Sequence, residues 1–292
     1  HKPTQNHISP LQPIALLAAI LLAGCTVNIH TDDPVSKIDS LDAETANLAD
    51  VRADVVNQID LAGKDDVLVV FDIDNTLTDF IRMKDASIDA AIEAMIDAGL
   101  MFSPERIKEE IYRIYEEEGI EYQKVFNRLL LNLIGEVDYK ILAAGIVGYR
   151  RAREASLVLY PHVKVTLIEL MKRGLKLAVI SDAPRQEAWL RLCYLQLHHI
   201  FDIVLTHEDT GEYKPSPAPF ELVLERMSIG PEEAMMIGDW PERDIVGASE
   251  LGIRTVFARY GDTFGTETSG ADYEIDDIFR LVDIVDGINS GN

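Results

Sequence analysis

Short apolar runs without polar interruption recur along the chain from Val67 onward, separated by stretches whose apolar residues repeat at helical spacing. The runs are Val67–Phe71, Leu175–Ile180, Ile203–Leu205, Ala234–Ile237 and Thr255–Ala258. A strand wetted on one face alternates apolar with polar residues; a continuous apolar run reads instead as a strand covered on both faces, as in a parallel sheet. Between the runs, Gln186–Leu197, Phe220–Met227 and Asp244–Leu251 carry helical patterns. The alternation predicts an α/β fold built on a doubly wound, mainly parallel sheet. Ligands of such sheets bind at the carboxyl ends of the strands, which directs attention to Asp72, Ser181 and Asp239, each just beyond a run.

Between Asp79 and Tyr160 the strand pattern gives way to helical stripes. Ile88, Ile92 and Met95 form one, Ile107, Ile111 and Ile114 a second, Val125, Leu129 and Leu133 a third, with a further helix over Ile141–Arg153. Gly99, Gly119 and Gly135 fall where these helices should stop. The stripes themselves predict packing. Taken whole, residues 80–159 read as a small α-helical domain inserted after the first strand and able to close over the site, with residues 67–79 and 160–288 forming the core domain.

Residues 1–66 have another character. Ile14–Gly24 reads IALLAAILLAG and precedes Cys25, and Leu22-Ala23-Gly24-Cys25 resembles a bacterial lipobox. That resemblance implies a signal-like segment over 1–25, an acylated Cys25 and a membrane-anchored lipoprotein; otherwise the expectation is a cytoplasmic protein. The apolar run is too short to span a bilayer, which takes about 20 residues. The chain starts at His1 rather than Met, so a truncated start is expected. Residues 26–66 are polar and Asp-rich, with room for a helix over Ala43–Asp60, and read as a spacer.

Composition narrows the function classes. The chain has 292 residues, is 47% hydrophobic and 26% charged, and carries a formal net charge of −23. It is globular in composition, and its acidity argues against nucleic acid as a partner, since Lys and Arg form only short clusters such as Arg150, Arg151 and Arg153. The two cysteines, Cys25 and Cys193, supply no disulfide framework. Cys193 lies in an apolar helical stretch and is expected in the core.

The stretch Phe71–Asp79, FDIDNTLTD, sets Asp72 and Asp74 one residue apart just past a buried strand. An ionised carboxylate can attack phosphorus, while its neighbour needs a raised pKa to deliver a proton near neutrality; burial and like charge can separate the two. Alone the pair says little, since loop aspartates often cap turns. Three later motifs give it meaning. Ser181, followed by the backbone N–H of Asp182, ends a second strand with donors suited to a phosphoryl oxygen. Lys214, in YKPSP, offers a point charge on a rigid loop. Asp239 and Asp244, in GDWPERD, end another strand with oxygen ligands for a hard cation.

In this order the motifs resemble the haloacid dehalogenase-like superfamily of phosphohydrolases, over about Val67–Ile284. The resemblance implies that Asp72 is the nucleophile and Asp74 the general acid and base, which also offers its backbone carbonyl to Mg²⁺. It implies Asn75, Ser181, Asp182 and Lys214 as phosphate-binding residues, Lys214 also as the charge stabiliser, and Asp239 and Asp244 as the further acidic residues of the metal site. The helical insert would be the family's cap. Asp74 argues against dehalogenation, which needs no proton donor there. A Mg²⁺-dependent phosphatase of a small phosphorylated metabolite is expected, with two alternatives: a phosphomutase using the same aspartyl-phosphate, or a non-catalytic, lipid-tethered binding module. Arg82, Lys84, Arg150, Arg151 and Arg153 are candidates for holding an anionic leaving group; Tyr112, Tyr115 and Tyr149 serve packing equally well.

Overall fold

The computed structural model describes residues 68–289. The signal-like segment with Cys25, the polar spacer and the Ala43–Asp60 helix lie outside the described residues. In chain order the elements begin with β1 (Leu68–Phe71) and four helices, α1 (Phe80–Asp97), α2 (Pro104–Glu118), α3 (Val125–Ile134) and α4 (Tyr139–Ser156). There follow α5 (Val163–Lys172), β2 (Lys176–Ser181), α6 (Arg185–Tyr194), β3 (Ile203–Thr206), α7 (His207–Thr210), α8 (Pro217–Met227) and β4 (Ala234–Gly238). A π-turn at Pro241–Ile245 leads into α9 (Val246–Glu250), and β5 (Arg254–Ala258), β6 (Tyr273–Ile275) and α10 (Arg280–Asn289) complete the chain.

Among the described residues six strands form one sheet in the order β3-β2-β1-β4-β5-β6, every neighbouring pair parallel. The sheet is therefore wholly rather than mainly parallel. Its strands are apolar throughout because both faces are covered. Val69, Phe71, Leu177, Val179, Met235 and Ile237 pack one face against α5, α6 and α10. Leu68, Val70, Ala178, Ile180, Ala234 and Met236 pack the other against Phe220 and Val223 of α8 and Ala248 of α9. Full burial of one such side chain stabilises by about 1.5–3 kcal/mol. Strand β6 was not foreseeable from the pattern: it has three residues, and two of them are exposed.

Helices α1–α4 form a body with its own apolar centre. Ile88, Ile92, Met95, Ile107, Ile111, Ile114 and Leu129 make a cluster distinct from those on the sheet. Leu133 is only partly buried at its edge. Local caps set the helix ends: Asp79 accepts from Arg82 N (3.1 Å), Ser103 from Arg106 N (3.3 Å) and Asp138 from Lys140 N (2.9 Å). Helices α1 and α4 approach closely because α4 presents glycine there: a Cβ on Gly148 would lie 2.6 Å from Ala90 O. The two chain crossings into this body run side by side, joined by Thr78 Oγ1 to Val158 O (2.6 Å) and Tyr160 N to Leu77 O (3.0 Å).

Cys193 corrects an expectation. It is exposed, because α6 turns Ala188, Arg191, Leu192 and the following Leu195 inward and leaves position 193 off that face. Helix α6 also ends at Tyr194, short of Leu197, and the Asp244–Leu251 pattern is split between the π-turn and α9.

Candidate active site

Strand order places β1 between β2 and β4, so the crevice beyond β1 is where the winding of the chain changes direction. Asp72 stands at that point, its backbone N donating to Ile237 O of β4 (3.0 Å). The chain then folds tightly, with Leu77 N and Thr78 N both donating to Ile73 O (2.9 and 3.2 Å). Asn75 takes a left-handed φ of +57° here, a conformation asparagine tolerates better than most residues. Its side-chain oxygen accepts from Ile81 N (3.2 Å), so that atom fastens the loop to the start of α1. The turn after β5 clamps the same loop from outside. Tyr260 OH donates to Thr76 O (2.8 Å), and Gly261 lies so near that a Cβ on it would sit 1.7 Å from Asn75 O.

Lys214 reaches the loop from the far side and is 4% exposed. Its Nζ donates to Asp72 Oδ1 (2.6 Å), Asp244 Oδ1 (2.6 Å) and Ile180 O (3.2 Å), three acceptors for three N–H groups. The side chain of Asp182 holds this lysine's backbone: Oδ1 accepts from Lys214 N and Oδ2 from Arg243 Nη1, both at 3.0 Å. Ser181, buried at the end of β2, accepts from Ala183 N (3.2 Å). Asp239 follows β4 and accepts from Thr76 Oγ1 (3.1 Å). Asp244 is turned inward by the π-turn, with Trp240 N donating to its Oδ2 (3.1 Å). Glycine is required at 238, where a Cβ would run into the Asp244 carboxylate.

Asp72, Asp239 and Asp244 thus each bring a carboxylate oxygen within 4.8 Å of the others, all buried. Three buried carboxylates face one lysine, and the donor set is oxygen only. It fits a hard divalent cation. The electrostatics show the same excess of negative charge. Burial pushes Asp72 up to about 7; Lys214 pulls it down, and Asp244 and Asp74 lift it further. Burial, with Asp72 and Asp244 beside it, holds Asp239 well above the usual carboxylate range. Burial opposes the charge on Lys214, yet Asp244 and Asp72 keep its pKa above the ordinary value.

Asp74 lies apart from this cluster. Burial lifts it up to about 6, against the pull of Arg191, whose Nε is 3.0 Å from Asp74 Oδ1. The two charges are in contact without the alignment of a hydrogen bond, since Oδ1 accepts none. Arg191 also pairs with Glu121, from the loop between α2 and α3. It marks the rim of a cavity of about 450 Å³ between the helical insert and α6, with Phe80, Lys84, Tyr115, Tyr149 and Arg153 among its walls. Arg150 also lines this cavity, whereas Arg82, Arg151 and Tyr112 do not. Tyr112 instead donates to Asp85.

The sequence reading passed over Thr76, Glu121, Arg191, Arg243, Tyr260 and Gly261. Only Arg191 left a usable signal, a charged residue in phase with buried Ala188, Leu192 and Leu195.

Residues 67–252 match the family model for haloacid dehalogenase-like hydrolase. The glyceraldehyde 3-phosphate phosphatase of Methanocaldococcus jannaschii is 37% identical over 220 residues, covering 74% of this chain and 96% of that protein. The ribulose-1,5-bisphosphate 5-phosphatase of Halopiger xanaduensis is 32% identical over 235 residues, 74% of this chain and 98% of that one. Among solved structures, a HAD phosphatase from Thermococcus onnurineus superposes with a TM-score of 0.57 at 25% identity, covering 75% of this chain and 98% of its own.

Proposed function

This chain belongs to the haloacid dehalogenase-like hydrolases and is a phosphoric monoester hydrolase of small phosphate esters, and we propose that it works through an aspartyl-phosphate on Asp72 with Mg²⁺. The observation that carries this reading is the buried Asp72–Lys214–Asp244 bridge beside Asp239. Lys214 occupies Asp72 Oδ1, which leaves Oδ2 as the attacking atom. In the first half-reaction Oδ2 bonds to phosphorus as the ester P–O bond breaks, and Asp74 gives its proton to the departing oxygen. In the second, Asp74 takes a proton from water, which attacks the phosphoryl group and frees Asp72 and inorganic phosphate. A pKa near 6 suits a carboxyl group that must donate and then accept.

Asp72, Asp239 and Asp244 would hold the cation. When bound, it supplies positive charge that keeps these carboxylates ionised and offsets their repulsion of the phosphate. Ser181 and the backbone N–H of Asp182 would steady the phosphoryl oxygens, Lys214 would do so through its charge, and the Asp182 side chain anchors the Lys214 loop. The helical insert would serve as the cap that admits the ester. The named activities of both curated relatives favour hydrolysis over phosphoryl migration within the substrate.

The test is Asp72→Asn assayed on 4-nitrophenyl phosphate with Mg²⁺. Turnover should vanish while the circular dichroism spectrum is unchanged; hydrolysis that persists and still needs the metal would sink the nucleophile assignment. A lipid tether through Cys25 is a separate proposal resting on the LAGC motif. Fatty-acyl labelling should be present in the full chain and absent from Cys25→Ala.

A further inference from the structure

Two cations that line this cavity, one of them in contact with Asp74, are buried with donor capacity to spare. Arg191 and Lys84 are each 5% exposed. Arg191 spends Nε on Asp74 and Nη2 on Glu121, but Nη1 is buried without any hydrogen-bond partner. Lys84 donates to one neutral group, Ile120 O (2.7 Å). Its Nζ also lies 4.5 Å from the centroid of Tyr115, 5.6 Å from Tyr149 and 6.0 Å from Phe80, while the carboxylates of Glu121, Glu187 and Asp74 act on it only from a distance. Among the described residues no carboxylate pairs with Lys84. The guanidinium of Arg191 lies over the same Phe80 ring, 4.7 Å from its centroid, so both cations flank one aromatic side chain. Burying a cation is costly unless an anion or several acceptors meet it. The walls hold four basic and three acidic side chains: Arg153 pairs with Glu187, Arg191 with Glu121, and Glu154 accepts from Tyr194, so that among the described residues Lys84 and Arg150 are left without a paired carboxylate.

We propose that Arg191 and Lys84 form an anion subsite for the leaving group, so that the enzyme selects phosphomonoesters carrying a second anionic group, carboxylate or phosphate. Arg191 is placed for this by its contact with Asp74. A donor whose guanidinium touches the acid that protonates the leaving oxygen also lies next to the substituents on the adjoining carbon. The cavity then receives the rest of the leaving group, and Phe80, Tyr115 and Tyr149 exclude water from the ion pair. Because water is excluded, each charge-assisted bond discriminates strongly.

This inference rests on the phosphatase reading, and the experiment separates the two. Carboxymethyl phosphate and ethyl phosphate differ by a carboxylate in place of a methyl group, and 4-nitrophenyl phosphate serves as a general substrate. The wild-type protein should prefer carboxymethyl phosphate by about 10-fold or more in kcat/KM, the discrimination expected of a hydrogen bond to a charged group. Lys84→Met and Arg191→Met should each lower that ratio about 10-fold, chiefly through KM for the carboxylate ester, and Lys84→Arg should restore part of it. Equal efficiency on both esters, hydrolysis of neither while 4-nitrophenyl phosphate turns over, or a ratio unmoved by both Met variants overturns the subsite. The wild-type ratio decides the matter even if a variant fails to fold. Failure on all three substrates with Mg²⁺ would instead count against the phosphatase reading.

Discussion

Replacing Gly261 by alanine tests how tightly the loop after Asp72 is held. The new Cβ would lie 1.7 Å from Asn75 O, and its obstacle is backbone rather than a side chain that can swing away. Opening that approach to the 3.0 Å that real Cβ atoms respect requires a displacement of 3.0 − 1.7, about 1.3 Å. The loop cannot easily yield. Asn75 N is bonded to Thr78 O (2.7 Å), and Asp72, three residues earlier, is tied through its N to β4. Tyr260, adjacent to the substitution, would lose register with Thr76 O. Misplacing reacting groups by about 1 Å costs on the order of 10²-fold in rate, and overpacking costs about 1–3 kcal/mol. Gly261→Ala should therefore lower kcat about 100-fold with a smaller change in KM, and lower the urea midpoint. Wild-type kcat with an unshifted midpoint would show that the loop is not clamped as described, and the geometric account of Asp72 would fall with it.

Other perturbations separate the forces in the site. Lys214→Met leaves Asp72 and Asp244 facing each other unbridged; turnover should fall by at least about 10²–10³, and the metal-free protein should lose about 3–5 kcal/mol by urea denaturation. Metal-free protein should become less stable as pH rises from about 5 to 7. In that window folded Asp72, Asp74 and Asp239, all raised above the ordinary 3.8, hold protons that the unfolded chain has released, so ionising them favours unfolding. Glu110 and Asp209, held below the usual range, are already ionised there and add no slope. Melting scans in EDTA at both pH values, repeated with Mg²⁺, check this; an upward slope in EDTA, or one that Mg²⁺ leaves unchanged, contradicts it. A pair of helix glycines gives a control on packing. Gly148→Ala drives a Cβ against Ala90 O and should destabilise despite better helix propensity, whereas Gly287→Ala on α10 meets nothing within 4 Å and should stabilise by about 0.5–1 kcal/mol.

The strands were legible because burial on both faces leaves an unbroken apolar run, and β1, β2, β4 and β5 fall within a residue or so of where the runs lie. Strand β6 left no such mark, because its membership of the sheet depends on backbone pairing with β5 rather than on apolar side chains. The helical insert was legible as stripes, but the closeness of α1 and α4 was not: Gly145 and Gly148 look like helix weakeners until the partner helix is seen against them. At the site, acidic residues at strand ends announced themselves through topology. Contacts that join distant elements did not, since neither Thr76 with Asp239 nor Glu121 with Arg191 has any sequence spacing to betray it. Cys193 failed for want of phase, one residue away from the buried stripe of its helix.

The insert keeps an apolar centre of its own, shared with neither face of the sheet. Changes inside α1–α4 can therefore be absorbed without shifting any strand that carries a carboxylate. Most walls of the cavity come from that body, while Asp72, Asp239 and Asp244 hang from the other. In the history of such a chain, diet can drift while digestion stays fixed: one inherited reaction, offered to a succession of esters by whichever helices happen to stand over it.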